Sequence, residues 1–225
     1  MRSSPVSQGA VRVRNLPDST MPSIYDLKSR FQGLLRPTVA RLAHAGVTAN
    51  QVTLAAVVLS VAGGAALALA PGHPLPLILL PLILFLRMAL NAVDGMLARE
   101  HDQKSSLGAV LNELGDVVSD IALYLPFALL PGVASWLPVA ICLLAVIGEM
   151  TGVVGIQIGA SRRYDGPMGK SDRAVVFGTL GLFVGFALIG PGAVDIVLGI
   201  TALLGGVTII NRARQALAET KEPRT

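Results

Sequence analysis

Long apolar stretches separated by short breaks rich in proline and glycine are the feature that most restricts how this chain can fold. A membrane-crossing helix needs about 20 mostly apolar residues. Stretches of about this length predict six spans, at about 49–70, 75–98, 108–130, 135–159, 173–190 and 192–211. Of the 225 residues, 52% are hydrophobic and 14% are charged. Because a soluble domain carries about 25% charged residues, the composition favours an integral membrane protein.

The basic residues predict how these spans are oriented. The breaks at 71–74, 131–132 and 190–192 contain no Lys or Arg. The other connections and both ends of the chain contain the basic residues, and in a six-span arrangement only Arg87 lies away from that side. Since basic loops stay in the cytoplasm, we expect both termini and the basic side to be cytoplasmic, in a cell inner membrane. The net charge of +4 then reflects topology, and we expect no nucleic acid partner.

The chain before the first span divides into two parts. Residues 1–22 are polar and without pattern, and we expect a mobile tail. In 23–46, apolar residues recur at helical spacing between basic ones, which predicts an amphipathic helix along the membrane surface, bent near Pro37. The predicted bundle covers 47–212 and a cytoplasmic tail covers 213–225. The predicted fold is therefore all-α: a six-span membrane bundle with an N-terminal interfacial helix.

Carboxylates inside the predicted spans indicate a functional site. A charged side chain at the bilayer centre costs about 2.5–3.5 kcal/mol, so such residues are expected to face a polar cavity, pair with one another or bind a cation. The second span contains Asp94, the third contains Glu113, Asp116 and Asp120, and the fourth contains Glu149.

Two polar faces meet in this prediction. Asn91 and Asp94 share one face of the second span, and Asn112, Asp116 and Asp120 share one face of the third. Antiparallel neighbouring spans can bring these faces together as a cup of carboxylate and amide oxygens near the cytoplasmic surface. Such oxygen ligands suit hard cations, including Mg2+, Mn2+ and Ca2+.

The order of these residues resembles the CDP-alcohol phosphotransferase family. The family pattern is D-x2-D-G-x2-A-R-x8-G-x3-D-x3-D, and the stretch from Asn91 to Asp116 has the same spacing at every position. The similarity covers about residues 23–212. It implies six spans, an interfacial N-terminal helix, a cytoplasm-facing site and a homodimer.

The resemblance also implies a transferase of phospholipid biosynthesis. An alcohol hydroxyl attacks the phosphorus of a CDP-linked donor, such as CDP-diacylglycerol, and CMP leaves. The acceptor is a small alcohol or a phosphorylated alcohol, and the implied cofactor is Mg2+ or Mn2+, as one or two ions. The implied roles are Asp116 as general base; Asp94, Asp116, Asn91 and Asn112 as metal ligands; and Gly95, Ala98, Arg99 and Gly108 as donor-binding residues.

The sequence departs from the family pattern at two positions. Asn91 and Asn112 stand where the first and third aspartates are expected, so the cup has two fewer negative charges. One metal ion, or weaker metal binding, is the expected consequence. A non-catalytic paralogue that binds CDP-lipid and an ion-coupled transporter are the alternatives. We favour an enzyme because the remaining pattern residues persist at the required spacing.

Two further groups of charges receive predictions. Arg87 lies on the face of Asn91, at the estimated depth of Asp120 and Glu149, and we expect it to pair with one or both. In the loop before the fifth span, Lys170 and Arg173 adjoin a helix start that we predict to be capped by Ser171 or Asp172. Cations at a helix N-terminus suit a phosphate of the acceptor or the donor's diphosphate. Contact with lipid headgroups explains them almost equally well.

Overall fold

A computed structural model of the protein describes the backbone of residues 24–221 and the side chains of residues 31–221. Within these residues the chain is helical and contains no strand, which confirms the all-α prediction. The helices are α1 (Ile24–His44), α2 (Ala49–Leu69), α3 (Pro74–Glu100), α4 (Ser106–Tyr124), α5 (Trp136–Gln157), α6 (Lys170–Gly185) and α7 (Pro191–Glu219). A short 3-10 helix, Leu125–Leu129, follows α4. The predicted tail at 1–22 lies outside the described residues, and the division into domains stays a prediction.

A helix lies at each of the six predicted spans. Helices α2, α3, α5 and α7 are long and apolar enough to cross a membrane. Helix α4 carries three carboxylates in 19 residues, and α6 has 16 residues. The count of six spans therefore stays a prediction, as does the surface location of α1.

Several predicted helix ends were wrong for local reasons. Helix α4 gives way to the 3-10 helix at Leu125 because Pro126 cannot donate a backbone hydrogen bond. Helix α6 begins at Lys170, before the predicted start at 173, and its cap is Gly169 rather than Ser171 or Asp172. The Asp172 carboxylate instead accepts a hydrogen bond from the Gly169 N–H at 2.8 Å.

Side chains cap the helix starts near the predicted cup. At α2, the Thr48 hydroxyl accepts from the Gln51 N–H at 3.2 Å, while the Gln51 side chain accepts from the Thr48 N–H at 2.9 Å. At α4, the Ser105 hydroxyl accepts from the Gly108 N–H at 2.9 Å. The Gln103 side chain accepts from the Ala49 N–H at 2.6 Å, so the connection between α3 and α4 is fastened to the start of α2.

Helix α2 holds α3 and α4 side by side by packing along both. The crossing with α4 is close: a Cβ atom at Gly64 would overlap the carbonyl oxygen of Ala122. Helix α3 packs against α6 as well, and α5 packs against α7. The side of α3 that faces α4 is therefore fixed by its neighbours.

Two apolar clusters lie on either side of the charged residues. The larger cluster gathers the N-terminal halves of α3, α5 and α7 with the end of α4, and in it Tyr124 stacks on Phe177 with ring centroids 4.2 Å apart. The smaller cluster joins Val39 of α1 to Val52 of α2 and Met96 of α3. The charged residues thus lie in a layer between the two apolar clusters.

This layer contains a buried chain of ion pairs, which we call the ion chain: Arg87, Asp120, Arg173, Glu149, Arg212, Arg162 and Glu113. Asp120 accepts from Arg87 Nη1 at 2.6 Å and from Arg173 Nη2 at 2.8 Å. The predicted pairing of Arg87 with Asp120 is confirmed. Glu149 is not the partner of Arg87, because Arg173 lies between Asp120 and Glu149 and pairs with both.

We expect Gly64→Ala to destabilise the bundle. The added methyl group must push α2 away from α4, and overpacking of this kind costs about 1–3 kcal/mol. The measurement is the Tm of purified protein in detergent. Gly206→Ala is the matched control, because it is also a helical glycine but nothing lies within 4 Å of the added Cβ. Equal Tm values for the two variants would contradict the close crossing.

We also expect Arg87→Leu to lower the Tm, because it leaves part of the Asp120 charge without a partner. Breaking a buried pair costs about 3–5 kcal/mol. Adding Asp120→Asn should restore part of the loss. The control is Arg36→Leu, since the Arg36–Glu100 pair at 3.0 Å has side chains 61% and 36% exposed. An exposed pair contributes about 0–1 kcal/mol, so a similar Tm loss in both variants would refute the buried-pair interpretation.

Candidate active site

The predicted cup forms around Asp116. Asn91 Nδ2 of α3 donates to Asp116 Oδ1 at 3.1 Å, and Lys170 Nζ of α6 donates to the same oxygen. Arg87 Nη2 lies 3.6 Å from that oxygen. Side chains of α3 and α6 therefore meet at one carboxylate oxygen of Asp116 on α4. No described side chain donates a hydrogen bond to the other oxygen, Oδ2.

Asp94 is the more buried carboxylate of the cup, with 5% of its surface exposed. Its Oδ2 atom accepts from the Thr53 hydroxyl of α2 at 2.7 Å. Asp94 also lies near enough to Asp116 and Lys170 to interact electrostatically with both. Thr53 was not among the predicted site residues; the signal for it was a polar residue one turn inside an apolar span.

The two asparagines occupy different environments. Asn91 is half-buried and hydrogen-bonded to Asp116, whereas Asn112 lies one turn before Asp116 on α4 and is exposed. The structure thus brings Asn91, Asp94 and Asp116 together and leaves Asn112 at the rim. Within residues 31–221, no three His, Cys, Asp or Glu side chains gather as a metal cluster.

The cup offers oxygen ligands for one divalent ion. Asp94 and Asp116 offer carboxylate oxygens and Asn91 offers an amide oxygen, whereas Asn112 is exposed one turn before Asp116. Mg2+ usually binds through one or two carboxylates together with waters and substrate phosphates. One oxygen of Asp116 is already engaged by Lys170 and Asn91. The residues therefore fit one ion that shares its coordination with a phosphate ligand.

The predicted donor-binding residues lie on α3 and α4, the helices that also carry the cup residues. The Arg99 guanidinium lies over Gly95, since a Cβ at Gly95 would be 3.1 Å from Arg99 Nη1. A Cβ at Gly108 would lie 2.8 Å from Asn50 Oδ1. Ala98 is half-buried beside the smaller apolar cluster. Arg99 is exposed and forms no ion pair with the described side chains, so its charge is free for a ligand.

The two predicted phosphate-binding residues differ in availability. Lys170 is one-third exposed and reaches into the cup, where it contacts Asp116. Arg173 is 4% exposed, and its guanidinium donates to Asp120 and to the Met168 carbonyl oxygen. Only Lys170 of the two reaches a cavity wide enough for a ligand.

That cavity is a groove of about 450 Å3 between α3 and α6. Arg87, Asn91 and Lys170 line its polar end. Its walls beyond them are mostly apolar, formed by Pro81, Leu84, Phe85, Met88, Ala174, Val175, Gly178 and Leu182. Phe85 and Met88 are about half exposed and Val175 is 68% exposed, so the groove opens sideways. A polar end with an apolar trough suits an amphipathic ligand.

Comparison with known proteins places this geometry in context. Residues 46–209 match the family model described as CDP-alcohol phosphatidyltransferase. The chain is also 46% identical over 200 residues to the inner membrane protein YnbA of Escherichia coli (strain K12), covering 89% of this chain and 99% of that protein.

Solved structures of Mycobacterium tuberculosis phosphatidylinositol phosphate synthase (PgsA1) share the fold. The structure with CDP-DAG bound superposes with a TM-score of 0.69 at 19% identity, covering 84% of this chain and 97% of that one. The complex with manganese and citrate gives a TM-score of 0.68 at 19% identity, covering 84% and 92%. The family model covers most of the described helices, including every residue of the cup. The chain therefore belongs to the CDP-alcohol phosphatidyltransferase family.

Proposed function

We propose that this protein transfers a phosphatidyl group from a CDP-diacylglycerol-like donor to the hydroxyl of an alcohol, with release of CMP. The observation that carries the proposal is the position of Lys170, which lines the polar end of the groove and contacts Asp116, with Asp94 near enough to interact electrostatically with both. Carboxylates, a cation and an apolar trough in one place match the three parts of such a donor reaction: proton removal, diphosphate binding and lipid binding.

Asp116 is the proposed general base. Its Oδ1 atom is held by Asn91 and Lys170, which fixes the carboxylate and leaves Oδ2 to accept the proton of the attacking hydroxyl. Lys170 and Arg99 supply positive charge for the diphosphate. The absence of side chains at Gly95 and Gly108 lets the Arg99 guanidinium and the Asn50 amide lie close to the helix backbones, where they would contact the nucleotide.

The groove between α3 and α6 supports a lipid donor. With the diphosphate at Lys170, an acyl chain extends along Phe85, Met88 and Val175 towards Leu182. Burial of apolar surface contributes about 0.8 kcal/mol per CH2 group, so the trough provides binding energy that a water-soluble nucleotide cannot use. The PgsA1 structure with bound CDP-DAG is consistent with this class of donor.

One Mg2+ or Mn2+ ion is the proposed cofactor, held by Asp94 and Asp116 with amide oxygens of Asn91 and Asn112. A bound ion would neutralise the diphosphate oxygens and make CMP a better leaving group. Lys170 supplies a further positive charge at Asp116 from the chain itself.

The proposal includes a location. Six spans in a bacterial inner membrane, with both termini and the cup at the cytoplasmic face, are supported by the basic connections and by the similarity to an inner membrane protein. A homodimer is proposed from the family resemblance.

A second candidate function is CDP-lipid binding without catalysis. The contacts of Lys170 and Asn91 with Asp116 favour it, because they occupy one of the two carboxylate oxygens that could accept a proton. Incubation of the purified protein with CDP-diacylglycerol, Mg2+ or Mn2+ and a panel of alcohols separates the candidates. Release of CMP with formation of a new phospholipid supports the enzyme, and binding without release supports the alternative.

We expect Asp94→Asn and Asp116→Asn each to reduce CMP release by about 100-fold or more, because they remove a metal ligand and the proton acceptor. Both variants should still insert and fold. Asp102→Asn is the control, as Asp102 is an exposed aspartate between α3 and α4 whose left-handed conformation, with φ of 54°, suits asparagine. Near-normal turnover in either cup variant would contradict the proposed site.

The two asparagines provide a separate prediction. Asn91→Asp with Asn112→Asp would place a second carboxylate about 3 Å from Asp116, and like-charge repulsion would change metal affinity and lower the native rate. CMP release is measured for wild type and double variant across Mg2+ and Mn2+ titrations. A silent wild type beside an active double variant would show that the chain is a decayed enzyme.

A further inference from the structure

Three arginines converge on Glu149 of α5. Glu149 Oε1 lies 3.3 Å from Arg173 Nη2, and Oε2 lies 3.2 Å from Arg162 Nη2 and 3.4 Å from Arg212 Nη1. The Arg212 side chain is 2% exposed, that of Arg173 is 5% exposed and that of Glu149 is 15% exposed. One carboxylate therefore serves as the shared counter-ion of three largely buried guanidinium groups.

The arginines are held in place by other contacts as well. Arg162 donates to both carboxylate oxygens of Glu113 at 2.9 and 2.6 Å, and Arg212 donates to the Gly148 carbonyl oxygen at 2.6 Å. Arg173 donates twice to Asp120. Burial favours the neutral form and would lower the pKa of Arg162, but the nearby carboxylates outweigh this effect and the pKa is raised. Contacts other than those with Glu149 therefore also orient all three guanidinium groups.

Three oriented guanidinium groups suit a phosphate monoester, because each offers charged N–H donors in a planar fork. The cluster also adjoins the cup. Arg173 lies three residues after Lys170 on α6, and its partner Asp120 lies four residues after Asp116 on α4. The edge of the cluster formed by Arg173 and Asp120 is therefore about one helical turn from Lys170 and Asp116, a separation that a small phosphorylated alcohol can span.

In this chain the Glu149 carboxylate occupies the site between the three arginines. Glu149 is the one anion that all three arginines share among the described side chains, and the cavity beside Arg173 and Arg212 measures about 10 Å3, enough for a single water molecule at most. A phosphate could enter only by displacing Glu149 into a buried position without its partners, which is costly for an ionised carboxylate.

The other basic side chains near the cup do not provide a second binding site for a phosphate group. Arg87 is paired with Asp120, and Lys170 is paired with Asp116. Arg99 is the unpaired arginine beside the cup among the described side chains, and the proposed function assigns it to the donor. A second phosphate group in the cup would therefore lack a counter-ion.

We propose that Glu149 is a built-in anion that excludes phosphorylated acceptors, so that the acceptor of this protein is an alcohol without a phosphate group. The inference rests on the proposed function, because the protein has an acceptor only if it is a transferase. The ion pairs between Glu149 and the three arginines do not depend on that function. It narrows the two acceptor classes implied by the family resemblance to one.

The first experiment measures phosphate binding, which needs no turnover. Inorganic phosphate is titrated into purified wild type, Glu149→Gln and Glu113→Gln in detergent, and binding is followed by calorimetry. We expect Glu149→Gln to bind phosphate at least tenfold more tightly than wild type, since glutamine keeps the shape and removes the charge. Glu113→Gln is the matched control and should behave as wild type, because Glu149 remains. Unchanged phosphate affinity in folded Glu149→Gln would overturn the proposal.

The second experiment uses wild type alone and so does not depend on the folding of a variant. CMP release is compared for matched acceptors, glycerol with glycerol 3-phosphate and inositol with inositol phosphate. Turnover with an unphosphorylated alcohol and at least tenfold less with its phosphorylated form is expected. Preference for the phosphorylated form would overturn the inference while leaving the proposed transferase intact. No CMP release with any acceptor, beside a phosphate-binding Glu149→Gln, would refute the transferase and leave the built-in anion standing.

Discussion

Asp120 accepts hydrogen bonds from two arginines at once, and the position of three helices depends on that arrangement. Its carboxylate comes from α4, Arg87 from α3 and Arg173 from α6, and all three residues are less than 5% exposed. A buried charge without its partners is costly, so a rotation of any of these helices by one residue is strongly opposed. One turn away, the same helices carry Asn91, Asp116 and Lys170. The geometry of the cup therefore follows from the pairing beneath it.

Sequence reasoning predicted those parts of the site that depend on spacing within a helix. Asn91 meets Asp116, and Arg87 meets Asp120, because residues four apart share a helical face and neighbouring helices place equal depths together. The partners of Glu149 could not be predicted in this way. Long arginine side chains reach it from a loop, from α6 and from α7, and spacing within one helix carries no information about packing among four elements. The cap at Gly169 was missed because Ser171 and Asp172 are stronger N-cap residues.

Asn91 and Lys170 act on the same oxygen atom of the cup. Asn91 donates a hydrogen bond to the same oxygen of Asp116 that Lys170 contacts. An aspartate at position 91 would instead place two carboxylates about 3 Å apart, an arrangement that needs a cation between them. Asn91 and Lys170 instead both donate to one oxygen of Asp116, so the carboxylate is oriented by an amide and an ammonium group.

The groove between α3 and α6 opens sideways, and this opening determines how the concentration of the proposed lipid donor should be expressed. Phe85, Met88 and Val175 expose apolar surface along this opening, so the proposed lipid donor would reach Lys170 by lateral diffusion within the membrane rather than from water. Occupancy of the groove would then depend on the mole fraction of that lipid in the surrounding bilayer or mixed micelle. Added detergent lowers the mole fraction of the proposed donor in mixed micelles even when its total concentration is constant. Apparent KM values for this donor would therefore be comparable only at a fixed ratio of lipid to detergent.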